Sequence, residues 1–240
     1  MNSTGAMEKC LSFINCHLQS PKLHLKAHED RERFRAVTIS RQAGSGGHSV
    51  AERLTELLPE DRPGDARPWL IFDRNIVEKV LEEHHLPARL SRFMPEDHIS
   101  GISDTMDELF GLHPPSSDLV RKTSETILHL AELGHVILIG RAANIVTQRL
   151  PHIFHVRLEG SLEKRVMRLV KLNGLSQIAA RKLAESEDLA RRRYVKQFFN
   201  KNVDDPLLYH LTINTDLLSI DAAARIIATA IMPSSVALAA

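Results

Sequence analysis

The chain has 240 residues, 43% of them hydrophobic and 25% charged, and at that length a globular protein buries about 70% of its unfolded surface. Its 31 Lys and Arg nearly balance 30 Asp and Glu, so a formal charge of +1 gives no reason to expect a polyanionic partner. No apolar run approaches the length of a membrane span.

Residues 1–34 read as a tail with little expected order. Cys10, Cys16, His17, His24 and His28 lie in it, at spacings that match no common zinc pattern. Glu8 and Lys9 interrupt the start and no apolar stretch of signal length follows, so the expectation is a cytoplasmic protein with reduced thiols. The apolar run Ala36 to Ser40 predicts a first strand. It leads into Gly44-Ser45-Gly46-Gly47-His48-Ser49 and then a helix with Val50, Ala51, Leu54, Leu57 and Leu58 on one face.

Trp69 to Phe72 predicts a second strand, followed by a helix from Asn75 to about Glu83. Residues 86–117, punctuated by Pro87, Pro95, Gly101, Gly111, Pro114 and Pro115, break the alternation and read as an insert over the sheet. A helix from about Asp118 to Leu133 stops at Gly134, and His135 to Gly140 reads as a buried central strand. After a fourth strand, Ile153 to Leu158, Ser161 is placed to cap a helix that Gly174 ends. Ser176 caps a long helix towards Phe199, and about 174–202 is a candidate lid. Tyr209 to Ile213 makes a fifth strand, Ser219 caps a last helix, and 233–240 is expected to fray. Alternating strands and helices over 35–232 predict a three-layer α/β domain around a parallel sheet.

Ligands of such sheets bind beyond the carboxyl ends of the strands. The residues there form a consistent set. Glycines in the first loop permit tight turns and close approach of an anion, while the following helix directs its first N–H groups and positive dipole end to the same place. Against the pattern G-x-x-x-x-G-K-[ST], Arg41 stands at the first glycine and Gly47 at the lysine, so only the glycine core with Ser49 remains. His48 stands in the loop, either at the phosphate or facing solvent. Asp73, after the second strand, is either a helix N-cap or a site residue. Arg141 follows the central strand and Gly140, where a guanidinium can fork onto a phosphate. Arg165 and Arg168 share a helix face that is either functional or solvated.

From Arg157 to Lys201 twelve Lys or Arg stand against five Asp or Glu, and the triplet Arg191-Arg192-Arg193 can place charge over a triphosphate. No set of stacking aromatics accompanies these cations, which disfavours nucleic acid. The 13 histidines form no H-E-x-x-H, and G-x-S-x-G is absent, so neither a metalloprotease nor a serine hydrolase is indicated. The missing general base suits transfer to a phosphate acceptor, which is already deprotonated.

Five segments occur together: Ile39-Ser40-Arg41-Gln42-Ala43-Gly44-Ser45-Gly46-Gly47-His48, Phe72-Asp73-Arg74, Ile139-Gly140-Arg141-Ala142-Ala143-Asn144, Asp188-x-x-Arg191-x-x-Tyr194 and Tyr209-x-x-x-Ile213-Asn214-Thr215. In this order they resemble the cytidylate kinase-like family, over about residues 35–232. The resemblance implies a P-loop NTPase-like domain of nucleoside monophosphate kinase type, with a five-stranded parallel sheet, a helical acceptor-site insert and a helical lid. It implies ATP as donor, Mg2+ as cofactor and CMP or dCMP as acceptor. By position, Arg41, Gly44, Ser45, Gly46, Gly47, His48 and Ser49 become the donor-phosphate site, with Ser49 on the metal. Asp73, Arg74, Arg141, Asn144 and Asp188 become the acceptor site, and Arg191, Arg192 and Arg193 the lid cations at the transferred group. Gly47 stands where characterised cytidylate kinases carry the loop lysine, and Ile139 and Ala142 stand where they carry aspartates. These departures keep open a nucleotide-binding protein without turnover, or a kinase of another small metabolite.

Overall fold

The computed structural model of the protein describes residues 34–58, 68–73, 118–140 and 142–232, together with Gly5, Lys9, Cys10 and Ser12. The expected helix after Asn75, the insert over 86–117, Arg74, Arg141, most of the tail and the frayed end lie outside the described residues.

In chain order the elements are β1 (Ala36–Arg41), α1 (Gly47–Leu57), β2 (Leu70–Phe72), α2 (Asp118–Leu133), β3 (Val136–Ile139), α3 (Ala143–Val146), β4 (Ile153–Glu159), α4 (Leu162–Asn173), α5 (Gln177–Phe199), a short 3-10 turn (Pro206–Leu208), β5 (Leu211–Asn214) and α6 (Ile220–Ile231). The five strands are parallel in the order β2-β3-β1-β4-β5, as the alternation of patterns predicts. β1 is central, aligned so that Ile39 faces Ile139 on one side and Val156 on the other.

Strand side chains alternate between two cores. Val37, Ile39, Ile137, Ile139, Val156 and Leu158 pack on one face with Val50, Ala51 and Leu54 of α1 and with Ala223, Ala224 and Ile227 of α6. Ala36, Phe72, Val136, Leu138 and Ile153 pack on the other with Ile127, Leu128 and Ala131 of α2, Ile145 of α3, and Val195 and Phe199 of α5. Both faces are therefore covered, which is why these strands read as nearly continuous apolar runs. Ser161, Ser176 and Ser219 each accept a backbone N–H at the start of α4, α5 and α6, so all three expected N-caps are present. Gly134 and Gly174 take positive φ at the ends of α2 and α4, the left-handed conformation that stops a helix.

Cys10 departs from the expectation of a loose tail. It is buried in the α2 face of the core, and its Sγ donates to the Ile71 carbonyl at 3.8 Å. Burial, with the charge of Asp73 added, pushes its thiol up to about 12, so it stays protonated and unreactive. No periodicity marks one cysteine as a cover for the short edge strand β2.

Candidate active site

The chain leaves β1 at the centre of the sheet and turns through Gln42-Ala43-Gly44-Ser45-Gly46 into α1. Gly44 and Gly46 both have positive φ, +78° and +87°. A side chain at Gly44 would strike the Arg165 carbonyl at 2.5 Å, so this glycine serves close backbone packing as well as the turn. No side chain caps α1, and its first backbone bond runs from Val50 N–H to the Gly46 carbonyl at 2.9 Å. The N–H groups of the first turn are thus open to an anion.

Two arginines fasten the loop from outside. Arg165 donates to the Ala43 carbonyl and to Asp188 Oδ2, both at 2.8 Å, and to the Gly160 carbonyl at 2.9 Å. Arg168 donates to the Gly44 carbonyl at 3.4 Å, to Thr215 Oγ1 at 3.0 Å and to the Thr215 carbonyl. Asp188 completes the clamp by accepting the Ala43 N–H at 2.7 Å through Oδ1. Arg165 and Asp188 are only 6% and 8% exposed, so the charges are matched where water cannot screen them. Gln42 adds a further tie, its Oε1 accepting the Gly160 N–H at 3.0 Å. With two loop carbonyls occupied by cations, the loop presents donors rather than acceptors to a ligand.

Asp188 also accepts from Arg191 Nη1 at 3.2 Å, and Glu187 accepts from Arg191 Nη2 at 2.8 Å. Arg191 lines a cavity of about 220 Å³ beyond the carboxyl ends of β1 and β3, where Arg41, Gly140, Asn144, Glu187 and Tyr194 also meet. Asn144 is buried, its Nδ2 donating to the Leu208 carbonyl at 3.5 Å. The cavity lies in the crevice where ligands of open parallel sheets bind.

The expected site residues therefore separate. Arg41, Asn144 and Arg191 come together around the cavity, and Gly44 to Ser49 form the adjoining loop. Asp188 is the clamp of that loop. Asp73 directly follows β2 at the same end of the sheet, half-buried and outside the cavity lining. His48 is exposed, with Nε2 3.6 Å from Glu52. Ser45 is buried with its hydroxyl donating to the Gln42 carbonyl at 2.8 Å, whereas Ser49 is half-buried with no such commitment among the described residues. The arginine triplet splits: Arg192 Nε pairs with Asp204 at 3.2 Å, and Arg193 is exposed outside the cavity lining. Successive helical residues are 100° apart, so three in a row leave the helix in different directions.

Sequence reasoning misses Arg157. It is 3% exposed in β4 and donates to Ser40 Oγ at 3.0 Å, Glu159 Oε1 at 2.9 Å and Asp204 Oδ1 at 2.6 Å. The Tyr209 hydroxyl, donating to the Val203 carbonyl at 2.7 Å, sits 3.2 Å from the same Ser40 Oγ. This network joins β1 to the segment after α5. Its signal was available as a charged residue inside the apolar strand Phe154-His155-Val156-Arg157-Leu158.

A crystal structure of an uncharacterized protein from Eubacterium ventriosum superposes with a TM-score of 0.62 at 19% identity, covering 83% of this chain and 98% of that one, and so shares the fold. A cytidylate kinase from Pyrobaculum aerophilum is 31% identical over 191 residues, 79% of this chain and 89% of its own. The model of the cytidylate kinase-like family matches residues 36–217, from the first residue of β1 to just past β5. Since that match takes in the glycine loop, its arginine clamp and the cavity beside it, the chain belongs to the cytidylate kinase-like family.

Proposed function

We propose that the protein is an ATP-dependent nucleoside monophosphate kinase that moves the γ-phosphoryl group to CMP or dCMP. Family membership supports the kinase-type reaction, and the cytidylate kinase relative supports the choice of acceptor. The observation that carries the reading is the clamped loop: Arg165, Arg168 and Asp188 hold its carbonyls and one N–H from behind, so the donors of the first turn of α1 need not reorganise to meet the β- and γ-phosphates. Arg191, braced by Glu187 and Asp188, faces the cavity where the acceptor phosphate would meet the donor. Asn144, at the other wall, would contact the acceptor nucleotide.

Ser49 suits Mg2+, because its hydroxyl at the start of α1 is uncommitted among the described residues and an oxygen donor is what this ion accepts beside phosphate oxygens. The metal would neutralise phosphate charge. Acceptor-dependent ADP release from ATP, measured with CMP, dCMP, UMP and AMP, tests the proposal. Turnover highest with CMP or dCMP is expected. The absence of a lysine at Gly47 favours a second reading, nucleotide binding without turnover. Calorimetric binding of ATP and CMP with no ADP from any acceptor would establish that reading instead.

A further inference from the structure

Gly47 has no backbone reason to be glycine. It is the first residue of α1 and is absent from the glycines with positive φ, so a side chain would fit its conformation. What crowds one is Arg41. A Cβ on Gly47 would lie 3.0 Å from Arg41 Cγ and 3.5 Å from its Cβ and Cδ. The same arginine continues to Gly140, where an added Cβ would fall 3.0 Å from Cζ and 3.3 Å from Nη2. The stem of Arg41 thus crosses the start of α1 and its guanidinium rests over the turn after β3, at the wall of the cavity that Arg191 lines.

The loop departs from G-x-x-x-x-G-K-[ST] at Arg41, Gly47 and His48, and the first two departures are reciprocal. A glycine has become the cation, and the cation has become a glycine. We propose that Arg41 performs the task of the missing loop lysine from the other end of the loop, its guanidinium contacting the transferred phosphoryl group, and that Gly47 is a glycine in order to give it passage, while Gly140, whose φ of +82° already calls for glycine, leaves room for the guanidinium. This rests on the phosphotransferase reading above. In the step itself an oxygen of the acceptor phosphate attacks the γ-phosphorus and forms the new P–O bond. The bond from that phosphorus to the β–γ bridging oxygen breaks, and its electron pair remains on the β-phosphate of ADP. No proton moves, because the attacking oxygen is already ionised. Charge grows on the bridging oxygen, and a planar guanidinium can donate to two phosphate oxygens at once.

The reciprocal exchange can be reversed. Turnover and melting temperature are measured for the wild type, Arg41→Gly, Gly47→Lys, the double variant, and Arg41→Gln, which keeps most of the stem without the charge. Arg41→Gly and Arg41→Gln are expected to lower kcat by about 10²- to 10³-fold, the loss typical of one preorganised donor. Gly47→Lys alone is expected to lose activity through collision with Arg41. The double variant is expected to regain at least about tenfold over Arg41→Gly, as restoring one charged contact at the transition state would. Arg41→Gln with kcat within about threefold of the wild type would overturn the assignment, since one lost charged contact at the transition state should show as a much larger factor. So would a folded double variant no faster than Arg41→Gly. A wild type with no acceptor-dependent ADP overturns the phosphotransferase reading and this assignment with it, whereas wild-type turnover with undiminished Arg41→Gln turnover overturns the assignment alone.

Discussion

Asp188 shows how one side chain sets the loop. Its two oxygens meet the Ala43 N–H, Arg165 and Arg191, so it connects the glycine turn to α4 and positions the cavity arginine on its own helix α5. Replacing it by alanine leaves the guanidinium of Arg165 buried with only carbonyl partners and removes the acceptor of the Ala43 N–H. Breaking such a buried pair costs about 3–5 kcal/mol. Asp188→Ala is accordingly expected to lower the melting temperature by roughly 6–20 °C for a chain of this size, measurable by calorimetry, and to weaken ATP binding. Unchanged stability would mean that the clamp is not held by this carboxylate. Sequence alone shows Asp188 as part of a D-x-x-R-x-x-Y motif and invites a ligand role, because it does not reveal which other segment its face of α5 meets.

At the scale of elements, most of the fold is legible. An apolar run leading to the glycine loop marks β1 and one between Gly134 and Gly140 marks β3, serines mark the starts of α4, α5 and α6, and the full coverage of both sheet faces explains why the strands show no clean alternation. The roles of arginines are less legible. Arg165 and Arg168 are three apart on α4 and look like a solvated face, yet both turn inward to loop carbonyls. Helical spacing says that two residues share a face; the neighbour that face meets is set by tertiary packing. The triplet on α5 illustrates the same limit with a sharper consequence. Arg191 is directed to the cavity, Arg192 to Asp204 and Arg193 to solvent. Arg191→Ala is expected to reduce kcat by about 10²-fold or more, as removal of a transition-state donor does. Arg193→Ala should stay within about threefold, since an exposed side chain outside the cavity contributes little to a preorganised site. Steady-state kinetics of the two variants side by side would separate a directed arginine from a generally basic helix, which predicts similar losses for both.

For the molecule as a whole, buried histidines couple stability to pH. His129 on α2 and His155 on β4 are buried, and desolvation lowers each from 6.5 to about 4, with the neighbouring His210 contributing at His155. Thr38 Oγ1 lies 2.9 Å from His155 Nδ1, and the His155 N–H donates to His210 Nδ1 at 2.9 Å, so that His210 nitrogen must be unprotonated. His210 is likewise lowered, by desolvation. The unfolded chain therefore binds more protons than the folded one between about pH 4 and 6.5, and the slope of stability with pH is positive there. Stability present above pH 6.5 is expected to fall by a few kcal/mol as pH drops through that window. Thermal melts from pH 7 to 4 should show a falling melting temperature, with a shallower slope for His129→Gln; a flat profile would contradict neutral burial of these rings.

On the proposed function, one phosphoryl group passes from ATP at the clamped loop to an acceptor in the Arg41–Arg191 cavity. Incubating the wild-type protein with Mg2+, CMP and ATP labelled in its γ-phosphate, then separating the products, tests it most directly. Label is expected in CDP. Label that remains in ATP, or appears only in inorganic phosphate, with dCMP, UMP and AMP giving the same result, would contradict a nucleoside monophosphate kinase and leave the loop as a binding site alone.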